Sequence, residues 1–414
     1  MCVVAFMVAM EKHGLSYFEL FRNRNYVLLF VGQLISYGGD ALSRVALPLY
    51  VYQSTGDIHA LGGVFALQYL PWVFLGPISG VIADRKNRKV LLIGAVWTEA
   101  LGLIGALYSR TSWQILICIF IGAVAQTLEI YVRQAFMPDV VGLEHYSRAV
   151  SLNIITIQAT DVVGVAIAGW VVSMVGPRLA ILLDVLSFVI NSVFILAAHI
   201  PQPKTISTAK IQIWKDLAEG LSFLLRNSML AFVVVILLLR GLTMIGTFPL
   251  YVDFIESVLH KGAFEFGLFT AVASLGYVLS SILTVHLEKI FHPIRFLLTS
   301  TALSGIFLLP FLFIREFWIL LGFRFLSSLC FGAGNLIANV QIAHLVPSEL
   351  RGRVNSILWA FVKLSQSLSS SGLSMLAGVW GAPMVISTSG FILFLGACVL
   401  RVMNPQRRAI NKIA

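Results

Sequence analysis

The chain predicts an all-α membrane protein: twelve transmembrane helices arranged as two pseudo-symmetric six-helix bundles. Three observations carry that prediction. Of 414 residues, 58% are hydrophobic and 12% charged, with a mean hydropathy of +0.90, whereas a soluble globule carries about a quarter charged residues. Apolar runs recur along the whole length, each reaching the ~20 residues that cross a ~30 Å hydrocarbon layer. Short sequence blocks in the first half also return in the second half in the same order.

The runs fall at roughly 25–52, 58–83, 90–109, 112–137, 149–174, 178–200, 229–254, 263–287, 295–314, 317–346, 353–378 and 382–403, numbered here as spans 1 to 12. Before span 1, the apolar stretch Cys2 to Met10 is too short to cross a bilayer. It lacks a basic leader and a small-residue cleavage site, so a tail, or a start codon upstream of Met7 or Met10, is expected rather than a signal peptide. Spans 2 and 3 are joined by Gly80 to Lys89, where Asp84, Arg85, Lys86, Asn87, Arg88 and Lys89 make a short charged loop. The longest polar connection, Pro201 to Asn227, separates spans 6 and 7. Within it Ile211, Ile213, Trp214, Leu217, Leu221, Leu224 and Leu225 alternate with Lys210, Lys215, Asp216 and Glu219, a pattern that predicts an amphipathic helix at the membrane interface. The expected organisation is therefore a tail (1–24), a first bundle (25–200), a linker with an amphipathic helix (201–228), a second bundle (229–403) and a C-terminal tail (404–414).

Basic residues set the expected orientation. The side of the Asp84–Lys89 loop holds 21 of the 29 Lys and Arg, which by the positive-inside bias places that loop, the linker and both termini in the cytoplasm. The net charge of +10 is then a topology signal, and no nucleic-acid partner is expected. Cys2, Cys118, Cys330 and Cys398 show neither metal-ligand nor disulfide spacing, and no metal or other cofactor is expected. The chain has no Walker-type phosphate loop, no His-Glu-x-x-His and no Gly-x-Ser-x-Gly, so neither an ATP site nor intramembrane hydrolysis is indicated.

Internal duplication is legible in three places. Phe21-Arg22-Asn23 before span 1 matches Leu225-Arg226-Asn227 before span 7. Leu47-Pro48-Leu49-Tyr50-Val51 matches Phe248-Pro249-Leu250-Tyr251-Val252, and Met137-Pro138 after span 4 matches Val346-Pro347 after span 10. The charged loop has only a decayed counterpart, Glu288 to Arg295.

Charges within spans are the candidate functional groups, because a charge at bilayer depth normally faces a cavity or a partner. Asp40 and Arg44 are four apart in span 1, share a helix face and can pair. Asp161 in span 5 has no basic residue in its own span, which makes it the first candidate proton carrier, with Asp40 second. Glu129 and Arg133 are again four apart, in span 4. Arg240, Arg324 and Lys363 are the unusual groups of spans 7, 10 and 11, and Lys363 precedes a run containing Ser365, Gln366, Ser367, Ser369, Ser370 and Ser371. Gln33, Asn335 and Asn339 add polar groups to spans 1 and 10. Tyr69, Trp72, Trp359 and Phe361 are aromatic groups that could stack on a ligand or simply pack.

The order Gly-x-x-x-Asp-Arg-x-x-Arg-Lys at Gly80 to Lys89 resembles the signature between helices 2 and 3 of the major facilitator superfamily of transporters. Asn87 stands where the family usually has Gly, and Asn tolerates the left-handed turn conformation. Phe21 to Tyr26 leading into Gly32-Gln33, Val51 to Gly56, Asp184 to Phe188, and Val346 to Val354 are similar to the bacterial macrolide-efflux and enterobactin-exporter group, of drug:proton antiporter type. The exporter signature of span 5 departs, reading Gly164-Val165-Ala166-Ile167-Ala168-Gly169 without proline.

The resemblance implies a secondary exporter, without enzymatic activity, of a small amphipathic drug-, macrolide- or siderophore-like molecule, working by proton antiport and alternating access as a monomer in the bacterial inner membrane. Its partners would be that substrate, protons and membrane lipids; a lipid or lysophospholipid translocator is the alternative within the fold. Gly80, Asp84, Arg85, Arg88 and Lys89 would form a gate joined by Glu129 and Arg133, with Asp84 set against the start of span 11 near Ser348 to Arg353. Asp40, Arg44, Asp161, Arg240, Arg324, Lys363, Gln33, Asn335 and Asn339 would lie on the central cavity. Glu99 and Asp184, in spans 3 and 6, would be peripheral.

Overall fold

The computed structural model describes residues 18–202, 213–287, 291–347 and 350–403, and among them the secondary structure is entirely helical. Twelve long helices occupy the twelve expected spans. In chain order they are α1 (Arg24–Thr55), α2 (Ile58–Arg85), α3 (Arg88–Tyr108), α4 (Ser112–Val141), α5 (Leu143–Val175), α6 (Pro177–Ala197), α7 (Ser228–Val258), α8 (Ala263–Leu287), α9 (Pro293–Leu312), α10 (Phe317–Leu345), α11 (Arg351–Trp380) and α12 (Ala382–Met403). Among the described residues, ten are long and apolar enough to cross a membrane. The other two, α1 and α11, are 32 and 30 residues long and carry the Asp40–Arg44 and Lys363–serine stretches.

The duplicated Arg-Asn blocks are helix starts. Asn23 Oδ1 accepts from the backbone N–H of Asn25 and Tyr26 at 3.0 and 3.2 Å, and Asn227 Oδ1 accepts from Leu230 N–H at 3.0 Å. Each asparagine thereby satisfies donors that the first helical turn leaves without partners. Asn87 does the same for α3, accepting from Lys89 and Val90, with φ −63° and ψ 110°. The conformation is extended, not left-handed, so capping explains asparagine here. The helix also continues through Pro138 to Val141, beyond the expected end of span 4.

Three π turns interrupt the ladders, Thr160–Gly164 in α5 and Gly241–Ile245 and Phe254–Val258 in α7. Such turns widen the hydrogen-bond step and re-aim the side chains that follow. The duplicated prolines fall at comparable places, Pro48 inside α1 and Pro249 just after the first π turn of α7, where proline removes a backbone donor.

The chain forms two compact units, residues 1–47 with 75–209, and residues 48–74 with 210–414. The last residues of α1 and most of α2 thus belong with the second unit, a division that differs from the two equal halves of the sequence. In the first unit, Leu29, Leu92, Val96, Val132, Phe136 and Phe188 form a common core. In the second, Leu230, Val233, Ile236, Leu297, Ile337 and Leu358 do so, and Leu224 of the amphipathic helix Ile213–Arg226 packs into the same cluster. Large apolar side chains left exposed, among them Leu101, Trp113 and Phe313, are suited to lipid.

Glycines set how closely helices cross. A Cβ added at Gly305 of α9 would strike the Gly390 carbonyl of α12, and one at Gly390 would lie 2.5 Å from the Gly305 carbonyl. Backbone cannot yield there as a flexible side chain could, and small residues are what permit such membrane contacts. Gly305→Ala and Gly390→Ala are each expected to cost about 1–3 kcal/mol, the range for overpacking, read as a lowered thermal unfolding temperature in detergent. Unchanged unfolding in both variants would show that α9 and α12 can separate freely.

Candidate functional site

The polar groups of the first unit converge from five helices. Arg44 of α1 does not pair with Asp40. Its Nη1 instead donates to Asp161 Oδ1 of α5, 117 residues away, with the Arg44 side chain 46% exposed and that of Asp161 22% exposed. Four-residue spacing places Asp40 and Arg44 on one face, but an arginine long enough to reach the neighbouring helix finds a better-placed carboxylate there. Asp161 therefore has a cation, and the expectation of a lone carboxylate in α5 is corrected. Asp40 makes no hydrogen bond or ion pair among the described residues and is partly exposed. One and two turns earlier on α1, Tyr37 and Gln33 are linked: Gln33 Nε2 donates to Tyr37 Oη at 2.7 Å, and Tyr37 donates to Asn153 Oδ1 of α5 at 3.1 Å. Gly164 lets α5 approach, since a Cβ there would sit 2.9 Å from Thr160 and 3.3 Å from Ala41 of α1.

A second, fully buried group lies deeper in the same unit. Arg133 Nε donates to Glu129 Oε1 at 2.8 Å, and Arg133 Nη2 reaches Asn191 Oδ1 of α6 at 3.4 Å. Glu99 of α3 is buried as well, and its Oε1 has no hydrogen-bond partner among the described residues. Asp184 accepts from the hydroxyls of Ser43 and Ser187, which ties α1 to α6.

The loop between α2 and α3 makes a separate cluster. Arg88 Nη1 donates to Asp139 Oδ2 at 2.7 Å and to the Pro201 carbonyl at 3.2 Å. Lys89 Nζ donates to the Leu196 and Ala198 carbonyls at 2.6 and 3.0 Å, where the end of α6 leaves acceptors free. Glu129 and Arg133 bond one another, and Arg133 also reaches Asn191. Asp139, which no sequence pattern singled out, is the partner Arg88 finds. Gly80 lies within α2. The side chains of Asp84 and Arg85, and the expected contact of Asp84 with Ser348 to Arg353, lie outside the described residues, as do Glu288 to Ile290 and both tails.

In the second unit, Arg240 and Arg324 lie buried inside the helix packing. Arg240 is 1% exposed. It donates to Thr301 Oγ1 at 2.7 Å and to the Phe331 carbonyl, with its guanidinium carbon 4.3 Å from the Phe331 ring centroid. Arg324 donates to Tyr251 Oη at 3.1 Å and lies 4.4 Å from the Tyr251 ring and 5.4 Å from that of Phe269. Aromatic faces and neutral acceptors take the place of counter-ions. Lys363 is different: it is partly exposed, with Nζ 4.9 Å from the Tyr69 ring and 5.3 Å from the Trp72 ring. Asn335 is partly exposed and Asn339 exposed, without hydrogen bonds among the described residues.

Residues 48–74 are held in this unit by polar contacts as well as apolar ones. Tyr52 Oη donates to Asp253 and lies 2.6 Å from Ser257 Oγ, and Gln53 Nε2 donates to Glu256 Oε1 at 2.6 Å. Ser367 Oγ of α11 donates to the Ala66 carbonyl at 2.9 Å, and Phe65 meets Phe248 edge-on at 5.2 Å.

The family model of the Major Facilitator Superfamily matches residues 29–258 and 233–413. An uncharacterized MFS-type transporter of Bacillus subtilis (strain 168), YkuC, is 24% identical over 372 residues, covering 86% of each chain. Macrolide efflux protein A of Streptococcus pyogenes is 24% identical over 208 residues, 49% of this chain and 51% of its own length. Enterobactin exporter EntS of Shigella boydii is 25% identical over 401 residues, 92% of each chain. Among solved structures, the nucleoside transporter NupG superposes with a TM-score of 0.73 over 92% of this chain and 98% of that one, at 14% identity, a likeness of fold. Duplicated helix caps, twelve helices and charges exposed within spanning segments agree with these matches: the chain belongs to the Major Facilitator Superfamily of multi-pass, non-enzymatic membrane carriers.

Proposed function

We propose that the protein exports a small amphipathic molecule by proton antiport and alternating access, as a monomer in the bacterial inner membrane with both termini cytoplasmic. The exposed Arg44–Asp161 pair carries this reading. A guanidinium 46% exposed in the body of a spanning helix is not stable against lipid and requires a water-filled cavity. In that cavity the pair contacts the substrate, a charged substrate group displacing one partner. Asp40, one turn away and unbonded, takes the place of Asp161 as the proton-exchanging carboxylate on the cavity wall. Within the second unit, Lys363, set against Tyr69 and Trp72, offers a cation and aromatic faces suited to a planar or anionic ligand. Export direction and the amphipathic class of substrate are supported by the macrolide and enterobactin exporters among the relatives.

The test is uptake into inside-out vesicles across a panel of labelled amphipathic cations, anions and lysophospholipids, with and without a proton gradient. Gradient-dependent accumulation of non-lipid members is expected, and Lys363→Gln should depress the anionic members more than the cationic ones. Accumulation insensitive to collapse of the gradient would reject antiport. Uptake confined to lysophospholipids would assign the fold to lipid translocation instead.

A further inference from the structure

We propose that Lys363, with Tyr69 and Trp72, seats a flat aromatic monoanion, a ring system carrying one carboxylate or an equivalent acidic group, and that this seat selects that class among the small amphipathic molecules carried. The selection rests on the carrier function proposed above; the seat rests on the geometry of the second unit. Lys363 makes no hydrogen bond or ion pair among the described residues, and its Nζ lies 4.9 Å from the Tyr69 ring centroid and 5.3 Å from that of Trp72. An ammonium carries three donors, and ring faces compensate its charge only in part. Lys363 and both rings are partly exposed, so a ligand can meet the nitrogen and the rings together. Tyr69 and Trp72 are three apart in α2 and share one side of that helix. Four residues after Lys363, Ser367 Oγ donates to the Ala66 carbonyl at 2.9 Å, which fastens α11 to α2 beside the seat and holds the ammonium against the rings.

The groups around Lys363 narrow the class of ligand. Ser365 Oγ donates to the Val362 carbonyl at 2.7 Å, and Ser369 and Ser370 donate to the Gln366 carbonyl at 3.1 and 2.8 Å. These hydroxyl protons are engaged by the backbone of α11 itself, so the serine run does not recognise a ligand through its donors. The buried charged side chains of the second unit, among the described residues, are Arg240 and Arg324, with no carboxylate beside them. Both are held by Thr301, the Phe331 carbonyl, Tyr251 and aromatic faces. Lys363 is thus the cation of this unit that is open to an acid, and one cation balances one negative charge. Ring faces carry a negative quadrupole, which holds the ammonium but repels an anion placed over them. The acid must therefore approach Lys363 from its open side, with the ligand ring offset against Tyr69 or Trp72. A flat ring bearing its acid in the ring plane meets both requirements, whereas an aliphatic acid meets only the first.

Equilibrium binding to the purified full chain, with no gradient present, tests the seat with three probes: naphthoate, its neutral amide naphthamide, and octanoate. The wild-type protein should bind naphthoate about tenfold more tightly than naphthamide, the low end for a hydrogen bond to a charged group, and about two- to tenfold more tightly than octanoate, the range for an aromatic pair. Lys363→Gln should lose the preference for the acid while binding the amide as the wild type does, which also shows that the variant is folded. Lys363→Arg should keep the preference. Trp72→Leu should lose the advantage over octanoate and retain that over the amide. Absence of saturable naphthoate binding, equal affinity of the wild type for acid and amide, or an acid preference that persists in Lys363→Gln would each overturn the proposal. So would a gain in affinity of Lys363→Gln for naphthylmethylammonium with no loss for naphthoate, because the rings would then be a cation site that the lysine fills. Uptake indifferent to the proton gradient would defeat antiport and leave this binding preference in place, so the two readings fail separately.

Discussion

Asp161→Asn is expected to cut transport severely with little loss of stability, and the double variant Arg44→Gln with Asp161→Asn to recover part of the loss. Removing one partner of a fully buried ion pair costs about 3–5 kcal/mol, because a charge is left uncompensated. Here Arg44 and Asp161 are 46% and 22% exposed, so water takes over much of the missing interaction and the folding cost falls toward the ~1 kcal/mol or less of solvated pairs. On the proposed function the cost to transport does not fall in the same way, since the unpaired guanidinium would change the charge that a substrate meets. The double variant removes that excess charge. Transport rates, substrate affinity and thermal unfolding of the two single variants and the double variant form a cycle whose coupling term reports the pair directly. Additive effects would show that the two groups act separately. Loss of uphill accumulation with downhill exchange intact in Asp161→Asn alone would return the proton-carrier role to Asp161.

The contrast between what the sequence predicted and what the structure contains follows from the range over which each signal acts. Helix positions were legible because apolarity and connecting polar residues are local properties. Even α1 and α11, too polar to pass on hydropathy, were recognisable from the repeats and from the loops that bound them. The Arg-Asn repeats were visible as repeats, and capping chemistry at Asn23 and Asn227 is the reason they persist at both places. Partner choice was not legible. Spacing along a helix identifies neighbours at four residues, as it did for Glu129 and Arg133, but says nothing of a crossing helix, where Arg44 found Asp161 and Arg88 found Asp139. Nor does a lone arginine in an apolar span declare its surroundings. The family resemblance placed Arg240 on the central cavity, whereas a carbonyl, a hydroxyl and a phenyl face accommodate it in the interior. A partial signal was Gly334, one turn beyond Phe331 on α10, where a Cβ would fall 2.5 Å from Arg240 Nη1.

Tyr52→Phe combined with Gln53→Leu is expected to release residues 48–74 from the second unit. α1 passes from one compact unit to the other between Leu47 and Pro48, and Pro48 lacks the N–H that would bond back to residue 44, so the helix is weakest where it changes company. Beyond that point its end is fastened by Tyr52 to Asp253 and Ser257 and by Gln53 to Glu256. Asp253, Glu256 and Ser257 are three and four apart and so present one face of α7. Each hydrogen bond contributes about 0.5–1.5 kcal/mol net, and loss of the two bonds to Asp253 and Glu256, at about 1–3 kcal/mol, corresponds to a roughly 5- to 150-fold change in the ratio of fastened to released forms. The alternating-access cycle proposed above would need contacts of this strength, strong enough to populate one state and weak enough to break in each turnover. Spin labels on Asp57 and Lys261 should report a longer-distance population in the double variant that is minor in the wild type. An unchanged distance distribution would mean that apolar contacts such as Phe65 with Phe248 hold the segment unaided, and that the polar groups serve another purpose.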